Sequence, residues 1–182
     1  RLDKPEEQCL VGHPFLDEKN GIFASTGSLG HGMPIGLGMA FARKIKKQKG
    51  QIFVIVGDGE TQEGTFWESL LLGYRFKLDN LTVVIDCNNI QGSGRREDIL
   101  PLHNLNFRQI AMHIGWASTC VDGHSVPALI SAFEFAETVS VPTLIIANTI
   151  KGYGVSFMAD EPSWHARYPT PEEIEQAYKE LE

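Results

Sequence analysis

Short apolar runs alternate along the chain with stretches whose apolar positions recur at helical spacing. Gln51–Val56 reads Gln-Ile-Phe-Val-Ile-Val between Gly50 and Gly57, the pattern of a buried parallel strand. Leu81–Ile85, Ala117–Val121 and Thr143–Ala147 are predicted as three further strands. A helical stretch opens at Thr26–Gly32 and runs to about Lys47, with Met33, Leu37, Ala40, Phe41 and Ile45 near one face. Lys44, Lys46, Lys47 and Lys49 crowd its end, where cations suit the helix dipole. Thr65–Phe76 is a second helix, with Trp67, Leu70, Leu71 and Tyr74 on a stripe; Phe107–Ile114 and Val126–Ala136 are two more. Thr170-Pro171-Glu172-Glu173 has the form of a capping box with proline at the first helical position, opening a terminal helix to about Leu181. Residues 1–26 show no core periodicity and read as an extended lead-in.

Alternating helices and apolar strands predict an α/β fold, a mostly parallel sheet with helices on both faces, as a single domain over residues 1–182. Ligands of such sheets gather at the carboxyl ends of the strands. The turns after Val56, Ile85 and Ala147 are therefore the places to look for chemistry.

Composition narrows the partners. The formal net charge of -7 argues against a broad nucleic-acid footprint, which needs a basic face. It leaves room for a phosphorylated ligand, because local groups override the net sign. No apolar run is long enough to span a bilayer, and the opening Arg1–Glu7 is polar and mixed in charge, without the form of an export signal. Cys9, Cys87 and Cys120 are scattered, with no CxxC pair, and read as reduced, small buried hydrophobes of a cytoplasmic protein.

The turn after the first strand is Gly57-Asp58-Gly59-Glu60, a carboxylate between two glycines that let the backbone turn sharply and approach a ligand. The turn after the second is Asp86-Cys87-Asn88-Asn89-Ile90. Asp58 and Asn88 lie 30 residues apart, one crossover unit, so a right-handed connection sets the two turns side by side. A carboxylate, an amide oxygen and a backbone carbonyl make a hard oxygen site of the kind that holds Mg²⁺ together with phosphates. Gly27–Gly32, opening the first helix, offers backbone amides suited to a diphosphate. Neither G-x-G-x-x-G after a strand nor G-x-x-x-x-G-K-[ST] is present, which leaves dinucleotide and P-loop sites without support.

These residues resemble a known family. Gly57-Asp58-Gly59 followed by Asn88 looks like the thiamine-diphosphate motif that begins GDG and ends in asparagine. Thr26-Gly27-Ser28-Leu29-Gly30-His31-Gly32, Gln62-Glu63-Gly64 with Trp67-Glu68, and Thr149–Met158 followed by Trp164-His165 are similar to segments of transketolases. Order and spacing match over nearly the whole chain, and the Ser-Leu-Gly-His-Gly form is most like the amino-terminal subunit of split, two-chain transketolases.

The resemblance implies thiamine diphosphate with Mg²⁺, or Ca²⁺ in its place. Asp58 and Asn88 would ligate the metal by side chain and Ile90 by its carbonyl. Gly59 would pack against the diphosphate, and Gly27 and Leu29 would line the aminopyrimidine end. His165 would contact the diphosphate and assist proton transfer, His13 of Gly12-His13-Pro14 would reach the substrate's hydroxyl end, and Glu63 would face a partner subunit, with Glu68 a weaker candidate there.

The resemblance also implies a missing half. The family's amino-terminal Ser-Gly-His-Pro-Gly-Gly and Lys-Gly-His segments are not in this sequence, nor is the pyrimidine-binding domain whose glutamate activates the cofactor. The expectation is a heterotetramer with a carboxy-terminal partner subunit, which transfers a two-carbon ketol unit from a ketose phosphate to an aldose. A deoxyxylulose-phosphate-synthase-like carboligase, a keto-acid dehydrogenase component and a catalytically degenerate binding module stand as alternatives.

Several residues read more plainly. His103, His113 and His124 are expected to be surface or helix-end histidines, and His31 either a cofactor neighbour or a first-turn residue. Arg95-Arg96 reads as a solvated loop, Lys151 as an exposed loop cation, and Trp67 and Trp116 as core or interface aromatics.

Overall fold

The structure is a computed structural model that describes residues 13–100 and 107–182. Its elements in chain order are α1 (Gly32–Ile45), β1 (Ile52–Gly57), α2 (Gly64–Arg75), β2 (Leu81–Cys87), β3 (Ile90–Gln91), β4 (Gly94–Arg95), α3 (Arg96–Ile99), α4 (Phe107–Ile114), β5 (Ala117–Asp122), α5 (Val126–Thr138), β6 (Thr143–Asn148) and α6 (Pro171–Leu181). The four long strands form one parallel sheet in the order β1-β2-β6-β5. β3 and β4 make a separate two-stranded antiparallel ribbon. Cys9, His103 and Gly12 of the Gly-His-Pro turn lie outside the described residues.

The two middle strands are buried along nearly their whole length because helices cover both faces. On one face Met33 and Leu37 of α1, Phe66 and Leu70 of α2, and Phe107 and Ala111 of α4 close over Val54, Val56, Val83, Ile85, Leu144 and Ile146. Trp116 completes this core, its indole N–H donating to the Leu70 carbonyl at 2.8 Å. The opposite face carries a smaller core, in which Ala132, Leu129 and Phe133 of α5 meet Val84, Ile145 and Ala147.

β1 departs from the expectation of a strand buried on both faces. It lies at the sheet edge, and α5 reaches it through an edge-on contact between Phe53 and Phe133, 5.5 Å between ring centroids. Phe53 and Ile55 are 54% and 75% exposed, whereas Val54 and Val56 are buried. The apolar run was thus a correct sign of a strand, but its outer side is uncovered among the described residues.

The terminal helix begins as the sequence predicts. Thr170 Oγ1 accepts from the Glu173 N–H at 3.3 Å, and the Glu173 carboxylate accepts from the Thr170 N–H at 2.8 Å, with Pro171 in the first turn. These bonds satisfy backbone donors that the first helical turn leaves unpaired. α6 buries none of its residues and is tied back by Glu180, which accepts from both the N–H and the hydroxyl of Ser156.

Candidate functional site

The site lies where the sheet register places it. Gly57 of β1 pairs with Asp86 of β2, and the Asp58 N–H donates to the Asp86 carbonyl at 3.1 Å. The turns carrying Asp58 and Asn88 are consequently neighbours at the carboxyl ends of adjacent parallel strands. Asp58 is 1% exposed and Asn88 9%. A carboxylate so far from water must be fully hydrogen-bonded. Its Oδ1 accepts from the Gly59 N–H at 2.8 Å, and its Oδ2 from the Asn89 N–H at 2.7 Å and from Arg96 Nε at 3.1 Å.

Asn88 is fixed by its neighbours. Its Oδ1 accepts from the Ile90 N–H at 3.0 Å, and its Nδ2 donates to Asp86 Oδ2 at 3.1 Å. The Thr149 hydroxyl donates to the other Asp86 oxygen, joining the end of β6 to the same cluster. Asn89 takes a left-handed φ of 62°, which turns the chain so that its N–H meets Asp58 and its carbonyl accepts from the Arg96 N–H. Asn89 Oδ1 is buried without a hydrogen-bond partner.

The chain returns to this turn through the β3–β4 ribbon. Gln91 accepts from Gln62 Nε2 at 2.7 Å and packs on Gly59 so closely that a methyl group there would lie 2.7 Å from Gln91 Cβ. His165, at the end of the short turn Pro162–His165, stands beside Gly92 of the same ribbon, with ring atoms 3.7 Å from where a methyl on Gly92 would be. Asp58, Gly59, Asn88, Ile90 and His165 are therefore gathered around one ribbon.

The remaining predicted residues form a second group. His13 packs on Gly27, whose φ of 132° requires glycine, at 3.4 Å from a methyl placed there. Glu63 lies against Gly30 and is itself exposed. Leu29 is 60% exposed. Glu60 links the two groups. Its Oε1 accepts from the Gly30 N–H at 2.9 Å and its Oε2 from the Gly57 N–H at 3.1 Å, while the Thr65 hydroxyl donates to the Gly30 carbonyl at 2.9 Å.

Three expectations change. The helix opened by Gly27–Gly32 starts only at Gly32, and the Gly30 amide is taken up by Glu60, so this segment is a bracketed turn more than a bare helix end awaiting an anion. Arg96 is not a solvated loop residue: its side chain is 14% exposed and ion-paired to Asp58. Cys120 is exposed, not buried; Cys87 is half-buried, and burial first, then the nearby Asp58 charge, pushes its thiol up.

The plainer readings fit. His124 Nε2 accepts from the Ile150 N–H at 2.8 Å and stacks on Tyr153, and His113 Nδ1 bonds the Gln109 carbonyl within α4. Arg95, read with Arg96 as a solvated loop, instead lies in β4 and binds Asp160 through both terminal nitrogens at 2.9 and 3.0 Å.

Sequence reasoning passed over Glu60, Gln91 and Arg96. The sequence held no signal for their roles, since each meets a partner far away along the chain: Glu60 and Gly30 are 30 residues apart, Gln91 and Gln62 29, and Arg96 and Asp58 38.

The donor set suits a hard divalent cation shared with a diphosphate: one carboxylate, one amide oxygen, one backbone carbonyl and the unpartnered Asn89 oxygen. Among the described residues no group of three or more His, Cys, Asp or Glu could hold a metal by itself, so a cation here would depend on phosphate oxygens. A Cβ on Gly59 would collide with the Gln91 side chain, so only glycine fits this turn.

Comparison with known proteins identifies the family and the fold. Residues 7–181 match the family model described as transketolase, thiamine diphosphate binding domain. The chain is 39% identical over 173 residues to an apulose-4-phosphate transketolase subunit of Phocaeicola vulgatus, covering 94% of this chain and 60% of that protein. It is 37% identical to a 6-deoxy-6-sulfo-D-fructose transketolase subunit of a Clostridium species, covering 62% of it, and 38% identical to human transketolase, covering 27% of it. The chain thus spans about three fifths of the length of the subunit relatives it matches. Among solved structures, transketolase from Campylobacter jejuni superposes with a TM-score of 0.83 at 27% identity, over 93% of this chain and 27% of that one.

Proposed function

The chain belongs to the transketolase family, whose thiamine diphosphate-binding domain it carries, and from that premise we propose that it is the diphosphate-side subunit of a two-chain transketolase. With its partner it transfers a two-carbon ketol unit from a ketose, as the phosphate or another anionic form, to an aldose. The relatives named for apulose 4-phosphate and for a sulfo-sugar support an anionic ketose as substrate. The observation that carries the reading is the convergence of Asp58, Asn88 and Ile90 at the ends of two adjacent parallel strands, with Gly59 and His165 against the ribbon that follows them.

Mg²⁺ on Asp58 Oδ, Asn88 Oδ1 and the Ile90 carbonyl would anchor the diphosphate, and Ca²⁺ has the same donor preferences. Thiamine diphosphate supplies the carbon nucleophile and electron sink when bound. This chain's residues bind and orient. Gly59 would offer backbone to the diphosphate, Gly27 and Leu29 would border the aminopyrimidine end, and His165 would bond a phosphate oxygen and carry a proton. His13, packed on Gly27, would reach the substrate's hydroxyl end. Glu63 and the exposed Phe15, Leu16, Phe23 and Leu29 belong to the surface that a partner chain carrying the pyrimidine-binding domain would cover in a heterotetramer. Residues 1–182 act as a single domain of that assembly, in the cytoplasm. No helix of the described residues is long and apolar enough to cross a membrane.

Titration calorimetry of thiamine diphosphate with Mg²⁺ into the chain mixed with its partner subunit tests the reading, beside Asp58→Asn. Metal-dependent binding that is lost in Asp58→Asn is expected. Absence of binding in the intact mixture would overturn the catalytic reading and favour a module that kept the fold without turnover.

A further inference from the structure

Arg96 enters the site from outside the strand-end turns, and its position is over-determined. Its Nε donates to Asp58 Oδ2 at 3.1 Å, its backbone N–H donates to the Asn89 carbonyl at 3.0 Å, and its guanidinium carbon lies 5.8 Å from the centre of the Phe107 ring. Asp58 Oδ2 already accepts from the Asn89 N–H, so both of its in-plane lone pairs are in use. The neighbouring charges are otherwise engaged: Asp86 with Asn88 and Thr149, Glu60 with two backbone amides, Arg95 with Asp160. Arg96 is therefore the one cation among the described residues placed on the carboxylate that a metal would use.

We propose that Arg96 is a resident counter-cation that makes the site refuse a divalent cation alone and admit it only together with a diphosphate. This deepens the function proposed above and rests on it. The argument is one of charge. The charges of Asp58 and Arg96 cancel one another. A divalent ion on Asp58 then meets a guanidinium in a pocket shielded from water, where like charges repel strongly. A diphosphate arriving with the ion restores the balance, and its oxygens offer the guanidinium the planar, paired acceptors it binds best. Metal and anion are thereby coupled through one side chain, and the coupling works in both directions.

The chain in complex with its partner subunit is titrated by calorimetry with two probes, Mg²⁺ alone and preformed magnesium–diphosphate. In Arg96→Gln, Mg²⁺ alone is expected to bind about tenfold more tightly than in wild type and magnesium–diphosphate about tenfold more weakly. Arg96→Lys, which keeps the charge, is expected to retain the wild-type order for both probes. The opposite signs are the diagnostic, because a variant that merely folds poorly loses affinity for both. Equal or weaker binding of Mg²⁺ alone in Arg96→Gln, or undiminished binding of magnesium–diphosphate, overturns the proposal. If wild type binds thiamine diphosphate with Mg²⁺ but Arg96→Gln lacks the crossing, the inference alone fails. If wild type binds neither, the functional reading fails with it.

Discussion

Gly30 shows how much of the site rests on single atoms. It is buried with a φ of 78°, its N–H is held by Glu60 and its carbonyl by Thr65. A methyl group there would lie 2.5 Å from Thr65 Oγ1 and 2.6 Å from Glu63 Cβ. Gly30→Ala must therefore strain the backbone and push apart the contacts that join the glycine segment to the strand-end turn. We expect a loss of about 2 kcal/mol or more, read as a lower urea midpoint. Gly38 is the control. It is exposed within α1 and has open space where a Cβ would sit, so Gly38→Ala should stabilise the chain by about 0.5–1 kcal/mol, read as a higher urea midpoint. A Gly30→Ala chain as stable as wild type would show that the bracket around Gly30 does not hold the site.

Among the elements, the segment that delivers His165 depends on a clamp between loop and ribbon. Asp160, in a left-handed conformation with φ 58°, closes its own loop by donating its N–H to the Lys151 carbonyl and accepts both terminal nitrogens of Arg95 from β4. The Arg95 hydrogen bond is the first cause that holds the Asp160 carboxyl below its usual range. A carboxylate lowered in this way adds stability that is present above its ordinary pKa and is lost as pH falls through the folded value. The clamp should thus hold through neutral and mildly acid pH and release only below about pH 4. Amide hydrogen exchange over residues 158–165 measures it. Protection in wild type should be constant from about pH 7 to about pH 5, and in Arg95→Gln it should be low throughout while the global unfolding midpoint barely moves, because the pair is solvent-exposed. Unchanged protection in Arg95→Gln would mean that other contacts hold the loop.

At the scale of the whole molecule, the sheet is asymmetric. Among the described residues three helices close one face and α5 alone lies on the other, so the edge strand β1 alternates between packed and open side chains. Adjacent residues should then respond very differently. Val56→Ala removes methyls from a side chain that is 1% exposed and should cost about 2 kcal/mol, whereas Ile55→Ala, at 75% exposure, should stay within about 0.5 kcal/mol. Chemical denaturation of the isolated chain reads both. A large cost at Ile55 would show that this face is covered in solution, and a self-association measurement would then test whether a second copy covers it.

Local chemistry was enough for the elements and for the motif. Apolar runs, helical spacing and the Thr170–Glu173 box depend on neighbours in sequence, and the structure places them within a residue or two of where the pattern predicts, save the first helix, which begins at Gly32 and not near Thr26. The pairing of Asp58 with Asn88 was legible too, because one strand–helix–strand unit has few ways to fold back. What needed the tertiary structure was every interaction whose partners lie far apart in sequence and are joined by irregular chain. The link from Glu60 to Gly30, the ribbon that sets Gln91 against Gly59 and His165 beside Gly92, and the ion pair of Arg96 with Asp58 leave no periodicity in the sequence. The exposure of β1 was hidden for a related reason. A strand's residues record that it is apolar, but which of its faces is covered is decided by where the crossover helices land.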